Sequence, residues 1–175
     1  KKSHYLTTGP EIYESLSHNL DAFICSVGTG GTISGVSDYL KEKNKNILIG
    51  LADPHGSAMY NFFKKGELKS KGTSITEGIG QGRITKNLEG AKIDECFQVS
   101  DNEALDIVYK MIEHEGLILG GSSGINIVGA MKLGKIIGPR KNIVTILCDY
   151  GTKYQSKIFN RKFLESKKLL VPKWL

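Results

Sequence analysis

Short apolar runs alternate along this chain with amphipathic stretches, and glycine-rich segments join them. That order is the pattern of a parallel α/β sheet flanked by helices. Thr8-Gly9-Pro10-Glu11 predicts the start of the first helix, because it has capping-box spacing with proline just inside. Ala22 to Val27 (AFICSV) is almost continuously apolar, as a strand buried on both faces should be. Gly28-Thr29-Gly30-Gly31-Thr32 follows at once, then an amphipathic stretch from Ile33 to about Lys43 and a strand over Ile47 to Ala52. Together these make one β-loop-α-β unit, whose crossover should be right-handed.

Residues Asp53 to Thr76 are less regular, with Gly56, Gly66 and Gly72 breaking the pattern. Glu77 to Arg83 (EGIGQGR) has three glycines in seven residues and is not expected to form a stable helix. Phe97 to Val99 predicts a short strand, and Ser100-Asp101-Asn102-Glu103 a second capping box opening a helix to about Glu115. A strand over Leu117 to Leu119, a loop over Gly120 to Gly124 and a helix over Ile125 to Ile137 are expected next. Ile143 to Cys148 predicts the last strand, closed by Asp149-Tyr150-Gly151. No internal repeat or low-complexity linker interrupts the 175 residues, which fit one domain, 1–175.

Composition narrows the class. Hydrophobic residues make up 39% and charged residues 24%, ordinary for a globular protein. No apolar run approaches the roughly 20 residues of a membrane span, and Lys1-Lys2-Ser3-His4-Tyr5 lacks the apolar core of a signal peptide. A cytoplasmic location is the expectation. Cys25, Cys96 and Cys148 are odd in number and form no C-x-x-C, so they are read as small buried hydrophobes in a reducing compartment. The net charge of +6 is concentrated in Lys153, Lys157, Arg161, Lys162, Lys167 and Lys168. No nucleic-acid motif accompanies them, so they are expected on a solvated surface helix.

Ligands of open parallel sheets bind beyond the carboxyl ends of the strands. Residues 28–32, 120–124 and 149–151 all occupy such places. Glycines in the first loop let the backbone turn tightly and approach an anion, N–H groups at a helix start point outward, and Thr29 and Thr32 add hydroxyls. The loop suits a phosphate, yet it matches neither common recipe. No lysine stands where a P-loop requires one, and Ile33 stands where G-x-G-x-x-G needs its last glycine. Gly120-Gly121-Ser122-Ser123-Gly124 fits the G-x-S-x-G of a hydrolase nucleophile elbow, with Asp149 as the acid. That reading fails on chain order, since none of His4, His18, His55 and His114 follows Ser122. His55 is the only histidine expected near a site, more as a loop residue than a catalyst, and Glu77 reads equally as a site residue or a capping or buried paired carboxylate.

These segments together resemble the cysteine synthase and cystathionine β-synthase family, the fold-type II pyridoxal-phosphate enzymes. The likeness runs through Thr8-Gly9-Pro10-Glu11-Ile12, Ser26-Val27-Gly28-Thr29-Gly30-Gly31-Thr32, Glu77-Gly78-Ile79-Gly80, Gly120-Gly121-Ser122-Ser123-Gly124 and Cys148-Asp149, in that order. It implies a three-layer αβα fold with a mostly parallel sheet, like the tryptophan synthase β-subunit. It implies pyridoxal 5′-phosphate, its phosphate held by Gly28, Thr29, Gly30, Gly31 and Thr32 and its ring nitrogen by Ser122. Gly78, Ile79 and Gly80 would wall the substrate side, and Asp149 falls in a loop near the ring edge that varies in the family. The implied reaction replaces the β-substituent of an activated serine, O-acetylserine with sulfide giving cysteine. Cystathionine synthesis, cysteine desulfuration, or a non-catalytic remnant binding phosphate or a partner are the alternatives.

In that family the lysine forming the Schiff base with the cofactor precedes all these motifs. The resemblance therefore makes this chain the C-terminal part of the large, cofactor-binding domain. No catalytic residue is expected in it, and alone it should be inactive. Its expected partners are an amino-acid substrate, the N-terminal part of the same enzyme and a second copy in a homodimer, with no nucleic acid or membrane.

Overall fold

In a computed structural model describing residues 1–175, three short apolar runs and one mixed one form a single parallel sheet. Its strands are β1 (Ala22–Cys25), β2 (Leu48–Pro54), β3 (Glu95–Val99) and β4 (Ile143–Thr145), in the order β3-β2-β1-β4. Alternation along the strands sends side chains to two cores. Phe23, Cys25, Ile49 and Leu51 join Ile33, Val36 and Leu40 of α3 (Gly31–Lys43) on one face. Ala22, Ile24 and Ala52 join Ile125, Val128 and Leu133 of α6 (Gly121–Ile137) on the other. Helices thus cover both faces, giving the three-layer αβα arrangement. No helix is long and apolar enough to cross a membrane.

The remaining helices show where local signals hold and where they yield. Ser100 caps α5 (Asp101–Glu115) with the complete box: its hydroxyl accepts from Glu103 N–H, and Glu103 accepts from Ser100 N–H. At the amino end the expected box does not form. Helix α1 (Lys2–Leu6) runs directly into α2 (Thr8–Ser15), the cap position is Thr7 without a side-chain cap bond, and the Thr8 hydroxyl pairs with His4 Nδ1 at 3.0 Å instead. Helix α4 (Met59–Lys65) occupies part of the stretch expected to be irregular. Its first turn is held by Asp53, seven residues upstream, whose Oδ2 accepts from Tyr60 N–H at 2.8 Å.

Three further expectations change. Leu117 to Leu119 is no strand; Leu119 makes only an isolated antiparallel bridge to Tyr150. Helix α6 begins at Gly121 rather than Ile125, so the serine-glycine segment is its first turn. Packing imposes this against low propensity, because a Cβ on Gly124 would strike the Ala104 carbonyl of α5. The basic C-terminal residues share no one helix: a 3₁₀ turn over Gly151–Tyr154 precedes α7 (Arg161–Ser166). Several of them are paired, Lys153 with Asp149, Lys157 with Glu77 and Arg161 with Glu165. Cys25 and Cys96 are buried as expected, but Cys148 is exposed.

Candidate cofactor site

Strand order fixes where the sheet opens. From β1 the chain proceeds outward through β2 and β3, then returns to β4 on β1's other side. The crevice beyond the carboxyl ends of β1 and β4 is therefore a topological switch point, the favoured ligand site of such sheets. A cavity of about 510 Å³ lies there, lined by the segments after β1 and β4 and by the start of α6.

Its first wall is the turn from β1 into α3. Gly30 stands at the N-cap with φ 79°, a left-handed conformation open to glycine, and no side chain caps the helix. The first N–H groups of a 13-residue helix consequently face the cavity without an internal partner, the arrangement that holds anions. The loop is braced from outside: the Thr29 carbonyl accepts from Thr85 Oγ1 at 2.7 Å and from Asn87 Nδ2 at 3.2 Å. Beneath it, Asn126 accepts from Ser26 N–H and donates to the Ile146 carbonyl, both at 2.7 Å, tying the ends of β1 and β4 together.

The second wall is Glu77 to Gly80. Gly78 approaches so closely that a Cβ on Gly28 would stand 2.6 Å from its carbonyl oxygen. Gly80 N–H donates to the Val27 carbonyl at 3.0 Å, fastening the wall to the cradle. Glu77 is exposed, so the buried-pair reading is corrected; it pairs with Lys157 at the rim.

The structure brings Gly28, Thr29, Gly30, Gly31, Thr32, Ser122, Gly78 and Ile79 to one cavity. Gly80 remains outside it, against Pro54 and Ser57 in a neighbouring polar cleft that also holds the exposed His55. Ser122, 6% exposed, lines the floor from the first turn of α6, whereas Ser123 is structural, its Oγ accepting from Cys148 N–H at 3.0 Å. No histidine lines the cavity, so the elbow-like serine has no base there.

Four contributors escaped the sequence reading. His4 packs against the cradle from α1, its Nε2 3.3 Å from Thr32 Oγ1, correcting the expectation that only His55 lies near a site. Twenty-eight residues separate the two, and no local signal joins them. Asn126 was hidden inside an apolar helix pattern, where a lone amide invites no attention. Cys25 lines the cavity floor, its thiol pushed up by burial. Tyr154 closes the far end; burial and then its hydrogen bond to Asp149 push its hydroxyl up to about 12, so it remains a donor.

Comparison with known proteins agrees with this geometry. The family model for pyridoxal-phosphate dependent enzymes matches residues 2–149. Cysteine synthase 1 of Neurospora crassa is 42% identical over 175 residues, covering 97% of this chain and 46% of its own length. Cysteine synthase 1 of Emericella nidulans is 41% identical, covering 100% of this chain and 49% of its own. The crystal structure of an O-acetylserine dependent cystathionine β-synthase from Helicobacter pylori superposes with a TM-score of 0.80 at 32% identity, over 89% of this chain and 49% of that one. The chain thus spans about half the length of the relatives it matches.

Proposed function

The chain belongs to the pyridoxal-phosphate dependent enzymes, and from that premise we propose that it forms the cofactor-holding part of a cysteine synthase. The residues fit a phosphate-bearing ring. A cradle in which added Cβ atoms would meet Gly78 and Leu88, an uncapped helix start and two threonine hydroxyls suit the phosphate. The cavity then runs to a serine hydroxyl that suits a ring nitrogen. When bound, the cofactor supplies an electron sink for the substrate's α-carbon.

This chain's residues do the holding. Backbone N–H groups from Gly30 to Thr32 and the Thr29 and Thr32 hydroxyls bind the phosphate, with His4 orienting Thr32. Ser122 fixes the ring nitrogen's direction, and Asn126 keeps cradle and floor in register. Gly78 and Ile79 leave room for a small amino-acid substrate. In the overall reaction the Cβ–O bond of O-acetylserine breaks, acetate leaves, and a Cβ–S bond forms to sulfide.

The lysine that carries the cofactor belongs, in this proposal, to the half of the enzyme outside residues 1–175. Coverage of about half of each relative supports that reading. So does exposed apolar surface at Leu117, Ile118, Leu147 and Tyr150. A cytoplasmic location and a homodimer complete the proposal, and the three free cysteines support the first. The Helicobacter pylori structure favours a second reading, in which homocysteine replaces sulfide.

The observation that carries the proposal is the convergence of the 28–32 cradle and Ser122 on one cavity at the switch point. The full-length protein, supplied with O-acetylserine and either sulfide or homocysteine, should release acetate and yield cysteine from sulfide more readily than cystathionine from homocysteine. Preference for homocysteine would support the second reading. No product from either would overturn both.

A further inference from the structure

The glycine wall stands between two open spaces. Glu77, Gly78 and Ile79 line the cofactor cavity, while Ser74, Thr76, Ile79 and Gly80 line the polar cleft of about 280 Å³ behind them. Its contacts with the cores are the half-buried Ile75 and Ile79. A segment packed so sparsely sits where its fastenings put it. At the carboxyl end Gly80 N–H donates to Val27, and the Gln81 carbonyl accepts from Ala58 N–H at 2.9 Å. Midway, Glu77 and Lys157 form an exposed pair, which contributes little in water. The amino end is fastened by Asp101. Its Oδ1 accepts from the Ser74 hydroxyl at 2.5 Å and its Oδ2 from Ile75 N–H at 3.0 Å. Ser74 Oγ accepts in turn from Thr76 N–H at 3.0 Å, so one carboxylate fixes three consecutive residues.

Asp101 is the first residue of α5, so the fastening is set on a firm base. Helix α5 packs on α6 so closely that a Cβ on Gly124 would strike the Ala104 carbonyl, and the first turn of α6 carries Ser122 on the cavity floor. The wall is thereby held at a set distance from the floor. We propose that Asp101 is a positioning residue for the amino-acid substrate. It lies outside the cofactor cavity and acts by holding residues 74–76, and through them Gly78 and Ile79, against α5. This rests on the reading of Gly78 and Ile79 as the substrate side of the cavity and deepens it. A carboxylate in the first turn of α5 also suits the helix dipole, a purely structural role. Two substitutions separate the roles. Asp101→Asn keeps the size and bonds to Ser74 and Ile75 without the charge. Asp101→Glu keeps the charge at the helix start but carries its carboxylate one methylene further out.

The test uses the full-length protein saturated with pyridoxal phosphate. It measures acetate released from O-acetylserine in the presence of sulfide, and amide hydrogen exchange over residues 74–80. Asp101→Ala and Asp101→Glu should each raise KM for O-acetylserine about tenfold, the size of one hydrogen bond to a charged group, with kcat little changed. The amides of Ile75 and Thr76 should exchange faster in both. Asp101→Asn should stay close to the unsubstituted protein in KM and in exchange. Should the alanine variant not fold, the glutamate variant carries the same expectation. An impaired asparagine variant beside a normal glutamate variant would assign Asp101 to the helix dipole and overturn the inference. An unchanged KM, or a fall in kcat without a rise in KM, would overturn it too. Exchange needs no turnover, so unchanged exchange in the alanine and glutamate variants would refute the fastening in any case. No acetate release from the unsubstituted protein would instead overturn the proposed function.

Discussion

Replacing Gly28 by alanine tests whether the cradle and the glycine wall form one rigid unit. The added Cβ would stand 2.6 Å from the Gly78 carbonyl oxygen, closer than real contacts allow, so the wall must retreat. Retreat is opposed by the Gly80 N–H bond to Val27 and by the Glu77–Lys157 pair at the wall's outer end. Overpacking of this kind costs about 1–3 kcal/mol, and a domain of this size loses about 2–4 °C of melting temperature per kcal/mol. Gly78 and Ile79 line the cavity, so their displacement should also weaken a phosphate-bearing ring about tenfold, as when one hydrogen bond is lost. Gly82→Ala is the matched control, because its Cβ meets nothing within 4 Å. It should be neutral or slightly stabilising. Thermal melting and titration with 4-deoxypyridoxine 5′-phosphate read both quantities. A Gly28→Ala protein that melts and binds like the Gly82→Ala control would refute the close approach.

Two further substitutions probe the surroundings. Asn126→Leu has similar volume but strands the Ser26 N–H and the Ile146 carbonyl, so it should lower stability in urea by about 2–6 kcal/mol, at about 1–3 per stranded group. Asp53 is fully buried, and burial pushes its carboxyl up from 3.8 to about 6, outweighing the hydrogen bond from Tyr60 N–H that lowers it. A folded value above the unfolded one means that the native state binds protons more tightly between those two values. Stability should therefore fall as pH rises from about 4 to about 6. Asp53→Asn should gain about 1–3 kcal/mol above pH 6 and nothing below pH 4, as urea midpoints across that range would show; a pH-independent difference would contradict it.

The parts legible in the sequence were those encoded by neighbouring residues. Ser100 and Glu103 sit three apart and form both bonds of their box, and the β1-cradle-α3 segment keeps strand, turn and helix in the expected order. What escaped depends on distant partners. Helix α4 is short and its first turn is held by Asp53 from the end of β2. The start of α6 looks like a loop because glycine and serine are poor helix formers, yet those small side chains are what permit contact with α5. Strand β4 stops at Thr145 on the open edge of the sheet, where only β1 pairs with it. The resemblance drew the cradle and Ser122 to one site from motif order, whereas His4, Asn126 and the Asp101 fastening emerge only from three-dimensional contacts.

The central claim is that the 28–32 cradle holds the phosphate of pyridoxal 5′-phosphate. Its most direct test is the cofactor content of the purified full-length protein beside a Thr29→Ala/Thr32→Ala variant, read from visible absorption and from cofactor released on denaturation. The account expects stoichiometric pyridoxal phosphate in the unsubstituted protein and most of it lost from a variant that still folds. Equal content in both, or none in either, would contradict it.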